Sequence, residues 1–341
     1  MSKVLGLHRD HIRHANGEEQ SFSARWCELA LAKGFDVKAL DARSRSFFQD
    51  VASCDAFMWR FGYTPLELQL GKRVVETIEQ ALKIPVYPSS HTAWHFEDKI
   101  SQQYLLASTG VPIPTGNVFW SRKEALKYAE GASYPFVAKL ATGMRSRNVV
   151  LVRTEREAKA LIDRLFGPGM DSIRPSSSRL GRLAGRKRLA LKLLLGKPLP
   201  RGHQMGYFFA QEFLPGNAHD TRVTVIGNRA FGFRRFNRPG DFRASGSGRI
   251  DWDPAKIDLR TVKMAFDVAA RLGTQSIAID FLSKDGAPVI LEISYTFGSW
   301  AVRDCPGHWL GPSSPEQPSL EWVDGSMRPE DAIFEDFTNG W

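Results

Sequence analysis

The chain of 341 residues contains only three cysteines, and it has no apolar run long enough to cross a membrane. Three scattered thiols exclude a disulfide scaffold and a zinc cluster, and they fit a reducing compartment. The N-terminus carries no signal-peptide pattern, so a cytoplasmic location is expected. With 43% hydrophobic and 24% charged residues, the chain is long enough for two or three packed units.

Several catalytic motifs are also absent. The sequence has no Walker-type glycine-lysine loop, no Gly-x-Ser-x-Gly elbow and no His-Glu-x-x-His pair. Cys305 and His308 could be proposed as a nucleophile and its base, but a proline-glycine turn between aromatic residues explains both. The sequence therefore gives no support for nucleophilic catalysis by a serine or a cysteine.

The net charge of +9 comes from one stretch, which has nine basic residues between 174 and 201 and no acidic residue. It is either a solvated insertion or a contact surface for nucleic acid, anionic lipid or an acidic polymer. No nucleic-acid motif or aromatic platform accompanies it, so we predict no nucleic-acid partner. A membrane-proximal or acidic-polymer contact remains open, because leucines are interleaved with the basic residues.

Strand and helix signals divide the chain into four parts. Residues 1–92 alternate the two signals, which predicts an α/β domain with a mainly parallel sheet. Residues 93–206 form a second part, into which the basic segment 168–204 is inserted. Residues 207–303 contain mostly strands and predict an antiparallel sheet, and the proline-rich segment 304–341 is expected to be an irregular tail that wraps an existing surface.

Two carboxylates lie in the middle of short apolar strands near the end of the chain. Residues 277–282 and 288–293 read as a hairpin with its turn near Gly286, and counting six residues each way reaches Asp280 and Glu292. Residues opposite each other on antiparallel strands share a face, so the two acids should lie close together. Paired carboxylates suit magnesium, although they could instead simply face solvent.

Cations precede this hairpin in the sequence. Lys139 ends a buried strand before the polar loop 141–148, where its ammonium could meet phosphate oxygens, and Lys99 is a second candidate. Strand residues 209–214 stop in a turn and could hydrogen-bond a flat base. Arginines follow, and they could cradle a transferring phosphoryl group or only form ion pairs with the acids. These are Arg222, Arg235 and Arg243.

The ordered set of motifs between about residues 95 and 303 resembles the ATP-grasp carboxylate-amine ligases. The resemblance implies an α/β N-terminal domain followed by an α+β ATP-grasp fold of two subdomains that grip ATP. Segments 240–248 and 304–309 further resemble a branch associated with surface-polysaccharide synthesis. The motifs are Glu-Asp-Lys99, Pro-Phe-Val-Ala-Lys139, Gln-Glu-Phe-Leu-Pro-Gly, Asp220-x-Arg222, Gly-Asp-Phe-Arg243, Ile-Asp280-Phe and Leu-Glu292-Ile-Ser294.

The resemblance implies nucleotide-binding roles for six residues. Lys99 and Lys139 would hold the ATP phosphates under a lid around Gly143. Glu212 and Phe213 would lie at the adenine hinge, and Asp220 would lie near the ribose.

The resemblance also implies a metal site and an anion-stabilising group. Asp280 and Glu292 would ligate one or two Mg²⁺ ions, and Ser294 stands where many family members have an asparagine ligand. Serine is the poorer ligand. The arginines that would stabilise the phosphoryl group and the later oxyanion are Arg222, Arg235 and Arg243.

The implied activity is an ADP-forming ligase that makes a C–N bond. A substrate carboxylate attacks the γ-phosphate of ATP, and an amine displaces phosphate from the resulting acyl phosphate. The first interpretation is an amide formed on a sugar acid or small amino-acid-like molecule, in surface-polysaccharide synthesis. The alternatives are a ligase that adds amino acids to a protein or peptide, and a nucleotide-binding regulatory protein without catalysis. The oligomeric state is not indicated.

Overall fold

The computed structural model describes residues 2–10, 12–13, 19–143, 148–170, 203–311 and 320–341. The chain divides into two units: a first unit made of Met1–Phe96 together with Asn217–Trp341, and a second unit made of Glu97–Gly216. The second unit begins four residues after the predicted boundary at residue 92 but ends at Gly216, so residues 207–216 belong to it and not to the predicted part 207–303. The N-terminal and C-terminal parts nevertheless share one unit. No helix among the described residues has the length and apolar character that crossing a membrane requires.

The N-terminal part of the first unit is built on a parallel sheet, as predicted. Its strands are β1 (Val4–His8), β4 (Asp36–Leu40), β5 (Ala56–Met58) and β6 (Val86–Tyr87), in the order β4-β1-β5-β6, and β2 (Ile12–Arg13) pairs separately with β3 (Glu19–Gln20). The helices are α1 (Phe22–Ala32), α2 (Phe47–Val51), α3 (Pro65–Thr77), which continues as a π-helical turn, and α4 (Ser90–Ala93). Short crossovers through helices keep neighbouring strands parallel.

The second unit has an antiparallel sheet in the order β7-β10-β8-β9. Its strands are β7 (Gly116–Phe119), β8 (Phe136–Lys139), β9 (Val149–Val152) and β10 (Phe208–Glu212), and its helices are α5 (Lys99–Ser108), α6 (Arg122–Gly131) and α7 (Glu155–Leu165). One sheet face packs on α6 and α7 through Ala138, Phe208 and Ile162. Phe209 on the opposite face packs against Ile100 of α5. The sheet is therefore covered on both sides.

The C-terminal part of the first unit carries a larger antiparallel sheet in the order β15-β14-β11-β12-β16-β17, with β13 paired to β12. Its strands are β11 (His219–Ile226), β12 (Arg229–Phe236), β13 (Ile250–Asp251), β14 (Ser276–Lys284), β15 (Ala287–Ser294), β16 (Gly307–Leu310) and β17 (Glu321–Asp324). The helices are α8 (Leu259–Leu272), α9 (Ser299–Arg303) and α10 (Pro329–Asn339). Helix α8 packs across β11, β12 and β14, and ends at Gly273 in the left-handed conformation, as its sequence predicts.

The prediction of an irregular tail after residue 303 was wrong. Strand β16 pairs with β12, β17 pairs with β16, and α10 packs against α1, where the Trp26 indole donates to the Glu330 carbonyl at 3.0 Å. Phe334 and Phe337 of α10 are buried in the core of the first unit. Three of the prolines that suggested irregular chain lie in 312–319, outside the described residues, and so do not interrupt these elements.

Candidate functional site

The predicted pair of carboxylates is confirmed, since Asp280 of β14 lies directly opposite Glu292 of β15. The hairpin turn is Asp285-Gly286, both with positive φ, which is the conformation a two-residue hairpin requires. A regular hairpin around this turn would pair Asp280 with Leu291. A β-bulge between Asp280 and Phe281 shifts the register by one residue and brings Glu292 onto the face of Asp280.

The Asp280 carboxylate is held by two arginines. Arg222, directly opposite on β11, donates from Nε to Oδ1 at 2.6 Å and from Nη2 to Oδ2 at 2.8 Å. Arg235 of β12 brings Nη2 to 2.6 Å from the same Oδ2. Burial disfavours the charged form, but the two arginines outweigh it and keep the pKa of Asp280 well below its usual value. Asp280 is therefore an ionised, buried carboxylate.

Asp220 completes a charged cluster with Arg222, Arg235 and Asp280. It lies opposite Arg235, whose Nε and Nη2 donate to its two oxygens at 2.7 and 2.6 Å. Burial raises the pKa of Asp220 even though Arg235 opposes the shift, and the charge of Asp280 adds to it. Burial alone would lower the pKa of Arg235, but Asp280 and Asp220 hold it above its usual value. The predicted ribose contact of Asp220 stays a prediction, and its observed role is to hold Arg235.

The donor set on this face fits a magnesium ion. Arg222 and Arg235 occupy three of the four lone-pair positions of the Asp280 carboxylate, which leaves one on Oδ1. Ser294 lies two residues after Glu292, and its hydroxyl donates to the Thr296 carbonyl at 2.7 Å, so its oxygen can still act as a ligand. No group of three His, Cys, Asp or Glu side chains in the described residues is arranged to hold a metal. Magnesium commonly takes one or two carboxylates and completes its shell with water and phosphate oxygens.

The structure does not bring Arg243 to the Asp280 carboxylate. Arg243 lies in the segment between β12 and β13, and its Nε and Nη2 donate to Asp241, two residues earlier, at 2.8 and 2.6 Å. These bonds lower the pKa of Asp241. The predicted contact of Arg243 with a phosphoryl group stays a prediction.

Both predicted phosphate-binding lysines lie in the second unit. Lys139 is the last residue of β8 and is buried. Lys99, the first residue of α5, donates from its backbone N–H to Ala141 at 2.8 Å and from its ammonium to the Gly143 carbonyl at 3.0 Å. Gly143 has φ +135°, and a Cβ there would collide with Asn148, so the position requires glycine. The remaining lid residues, 144–147, lie outside the described residues.

The predicted adenine hinge follows directly from β10. Glu212 ends the strand; its backbone N–H donates to the Thr115 carbonyl at 2.8 Å, and its carboxylate accepts from the Thr115 N–H at 3.1 Å. Phe213 is the next residue and is half-buried. The backbone there is thus held by residues that precede β7, and the adenine contact stays a prediction. The basic residues 174–201 lie outside the described residues.

Sequence reasoning missed the pairing within the charged cluster, although a signal was present. Strands β11 and β12 are joined by Gly227 and Asn228, a two-residue hairpin turn. Counting outward from it pairs Ile226 with Arg229 and reaches Asp220 opposite Arg235. The same counting that paired the two acids would therefore have found this ion pair.

Solved structures with the same architecture are ATP-grasp proteins. A RimK domain ATP-grasp protein from Sphaerobacter thermophilus matches 89% of this chain and 95% of its own, with a TM-score of 0.51 and 17% identity. The D-alanine–D-alanine ligase of Bacillus anthracis matches 86% and 87%, with a TM-score of 0.51 and 12% identity. The chain has the ATP-grasp fold. The predicted fold class is confirmed.

Sequence relatives of this ATP-grasp chain carry ligase names. A probable α-L-glutamate ligase of Cellvibrio japonicus is 21% identical over 304 residues, 83% of this chain and 86% of its own. The ribosomal protein bS6–L-glutamate ligase of Salmonella paratyphi B is 22% identical over 238 residues, 68% of this chain and 65% of its own. No protein-family model matches the sequence.

Proposed function

We propose that the chain is an ADP-forming ATP-grasp ligase that joins a carboxylate to an amine and uses an amino acid as a substrate. The observation that most supports this proposal is the cross-strand pair of Asp280 and Glu292 on the large sheet of an ATP-grasp fold. Arg222 and Arg235 lie beside this pair. This arrangement combines ligands for a divalent cation with donors for phosphate oxygens.

The charges on this face support phosphate chemistry. The charged cluster is neutral, since two carboxylates balance two guanidinium groups, and Glu292 adds one carboxylate. When bound, Mg²⁺ would be held by Asp280 and Glu292 and would neutralise phosphate oxygens. Asp220 and Asp280 both bind Arg235, and Asp280 also binds the half-buried Arg222 through two bonds. Arg222 is thereby positioned to stabilise negative charge that develops on a transferring phosphoryl group.

The reaction transfers the γ-phosphoryl group to the substrate without covalent attachment to the protein. A substrate carboxylate oxygen attacks the γ-phosphorus of ATP, a new O–P bond forms, the bond to the β-phosphate oxygen breaks, and ADP leaves. The amine nitrogen then attacks the acyl carbon, the C–N bond forms, phosphate leaves, and the amine loses a proton. Lys99 and Lys139 would hold ATP phosphates in this scheme.

Amino-acid ligation is supported over sugar-acid ligation by the names of the relatives. A probable α-L-glutamate ligase and a ligase that acts on ribosomal protein bS6 are both amino-acid ligases by name. A structural neighbour, an N5-carboxyaminoimidazole ribonucleotide synthetase solved with ADP, matches with a TM-score of 0.51, which supports nucleotide binding at this fold. The polysaccharide assignment stays a prediction.

ADP release measured with pairs of acids and amines tests the proposal. L-Glutamate with peptide acceptors should give ADP release that depends on both substrates, and hydroxylamine should trap an acyl hydroxamate. Release that depends on uronic acids instead would replace the amino-acid assignment with the sugar-acid one. Binding of ATP by calorimetry without ADP release for any pair would favour the regulatory alternative.

The metal assignment has its own test. Glu292→Gln should raise the Mg²⁺ concentration for half-maximal activity about 10- to 100-fold, and Asp280→Asn should lower kcat on the order of 100-fold or more. Asp267→Asn is the control, because Asp267 is a half-exposed partner of Arg271 on α8. An unchanged Mg²⁺ dependence in Glu292→Gln would refute the assignment.

A further inference from the structure

Arg60 is a buried cation that has no carboxylate partner among the described residues. Its exposed fraction is 5%. Other buried or half-buried arginines of the first unit pair with acids: Arg25 with Asp331, Arg222 with Asp280, Arg229 with Glu335, Arg234 with Asp251 and Arg235 with Asp220. A buried charge without a counter-ion is costly, so its retention indicates an anion that comes from outside.

The position of Arg60 is one where parallel sheets bind ligands. In the order β4-β1-β5-β6, the chain moves from β1 to β4 on one side and then to β5 on the other, so a topological switch point lies between β1 and β5. Ligands of open parallel sheets bind outside the carboxyl ends of the strands at such a point. Arg60 lies two residues beyond the end of β5, and Asp10 lies two residues beyond the end of β1.

Three contacts hold the Arg60 guanidinium, and none of them uses its terminal nitrogen Nη1. Nε donates to the Thr296 hydroxyl at 2.6 Å, and Nη2 donates to the Phe297 carbonyl at 3.4 Å. The group also lies 4.6 Å from the centre of the Phe22 ring. A rigid guanidinium with donors to spare is suited to bind a carboxylate.

Asp10, beyond the end of the neighbouring strand, forms no ion pair with Arg60. Its carboxylate accepts from the Ser21 hydroxyl at 3.0 Å and from the backbone N–H groups of Phe22 and Ser23 at 3.2 and 2.8 Å. These donors are at the N-terminus of α1, where a negative charge is stabilised. Asp10 is therefore committed to capping the helix.

Arg60 is linked to the predicted metal site through the end of β15. Thr296, which accepts from Arg60, also accepts at its carbonyl from Ser294, two residues after Glu292. Arg60 and Ser294 therefore contact the same residue. We propose, building on the function above, that Arg60 binds the carboxylate of the amino-acid substrate whose amine is ligated.

Binding without turnover tests the site directly. The full chain is titrated calorimetrically with L-glutamate and with glutarate, in Mg²⁺ and a non-hydrolysable ATP analogue. Arg60→Gln should weaken binding of both about 10- to 100-fold, and Arg60→Lys should weaken it less. Arg25→Gln, which removes a half-exposed arginine paired with Asp331, should bind as the wild type does. Phosphate binding that depends on Arg60 and exceeds glutarate binding would overturn the carboxylate assignment.

Turnover separates this proposal from the proposed function. Arg60→Gln should raise KM for the amino acid about 10- to 100-fold and leave KM for ATP unchanged. Loss of glutarate binding in Arg60→Gln supports the site even if the wild type releases no ADP. The absence of ADP release would refute only the proposed ligase activity. An unchanged KM with a lowered unfolding temperature would show that Arg60 is structural. If Arg60→Gln does not fold, Thr296→Val removes the Nε acceptor and should raise the same KM several-fold.

Discussion

Replacement of Arg235 should show how strongly the free energy of unfolding depends on charge balance in the charged cluster. In Arg235→Met, Asp280 keeps both bonds from Arg222, but Asp220 loses the two bonds that its oxygens accept from Arg235 while it remains buried. One uncompensated buried charge typically costs about 3–5 kcal/mol of the free energy of unfolding. Methionine fills the volume of the arginine stem, so a cavity contributes little.

The assay is urea unfolding followed by tryptophan fluorescence at two pH values. Asp220 already has a raised pKa, and loss of Arg235 raises it further. The unfolded chain titrates near its ordinary pKa of about 4, so the penalty is absent below that pH and grows as pH rises through the folded-state pKa. We therefore expect Arg235→Met to lower the free energy of unfolding less at pH 5 than at pH 8.

Two controls make the result decisive. Arg271→Met breaks an exposed ion pair on α8 and should cost about 1 kcal/mol or less. The double variant Arg235→Met with Asp220→Leu removes both charges and should recover most of the lost stability, because apolar replacement of a buried pair is often neutral. A loss in Arg235→Met no larger than in Arg271→Met, or no recovery in the double variant, would refute the reasoning.

Two further predictions concern packing and thiol chemistry. Gly71→Ala gains at most about 1 kcal/mol of helix propensity but places a Cβ against the fully buried Phe61 ring, where overpacking costs about 1–3 kcal/mol, so the thermal midpoint should fall. Gly131→Ala, with open space around it, is the control and should leave the midpoint unchanged or raise it. A lower midpoint in Gly131→Ala than in Gly71→Ala would contradict this account. Burial raises the pKa of Cys305 to about 12, so iodoacetamide at pH 8 should leave Cys305 unlabelled in the native chain, as mass spectrometry would show, with the half-buried Cys27 as an internal comparison. Rapid native labelling of Cys305 would contradict its burial.

The local sequence pattern was sufficient to predict an element where that element depends mainly on its own residues. The alternation of strand and helix signals over residues 1–92 predicted the parallel N-terminal sheet. Strand β7 and helix α6 were not predicted. The strands of the tail were missed because they depend on pairing with β12, which is distant in sequence.

The metal-site prediction shows the limit of counting along the chain. Counting from Gly286 paired Asp280 with Glu292 correctly, but a regular turn at Asp285-Gly286 would have paired it with Leu291. The bulge makes the difference, and a bulge depends on packing on both faces of the sheet. The residue types at the site were therefore predictable, and their exact register was not.

The sequence by itself determined which side chains could carry the chemistry: paired strand acids, strand-end lysines and arginines at strand spacing. The tertiary structure decided which of them meet. Arg235 binds both Asp220 and Asp280, Arg243 binds Asp241, and Arg60 reaches Thr296, 236 positions away. The physical reason is that backbone periodicity sets only the face on which a side chain lies, whereas its partners depend on burial of distant segments in one core.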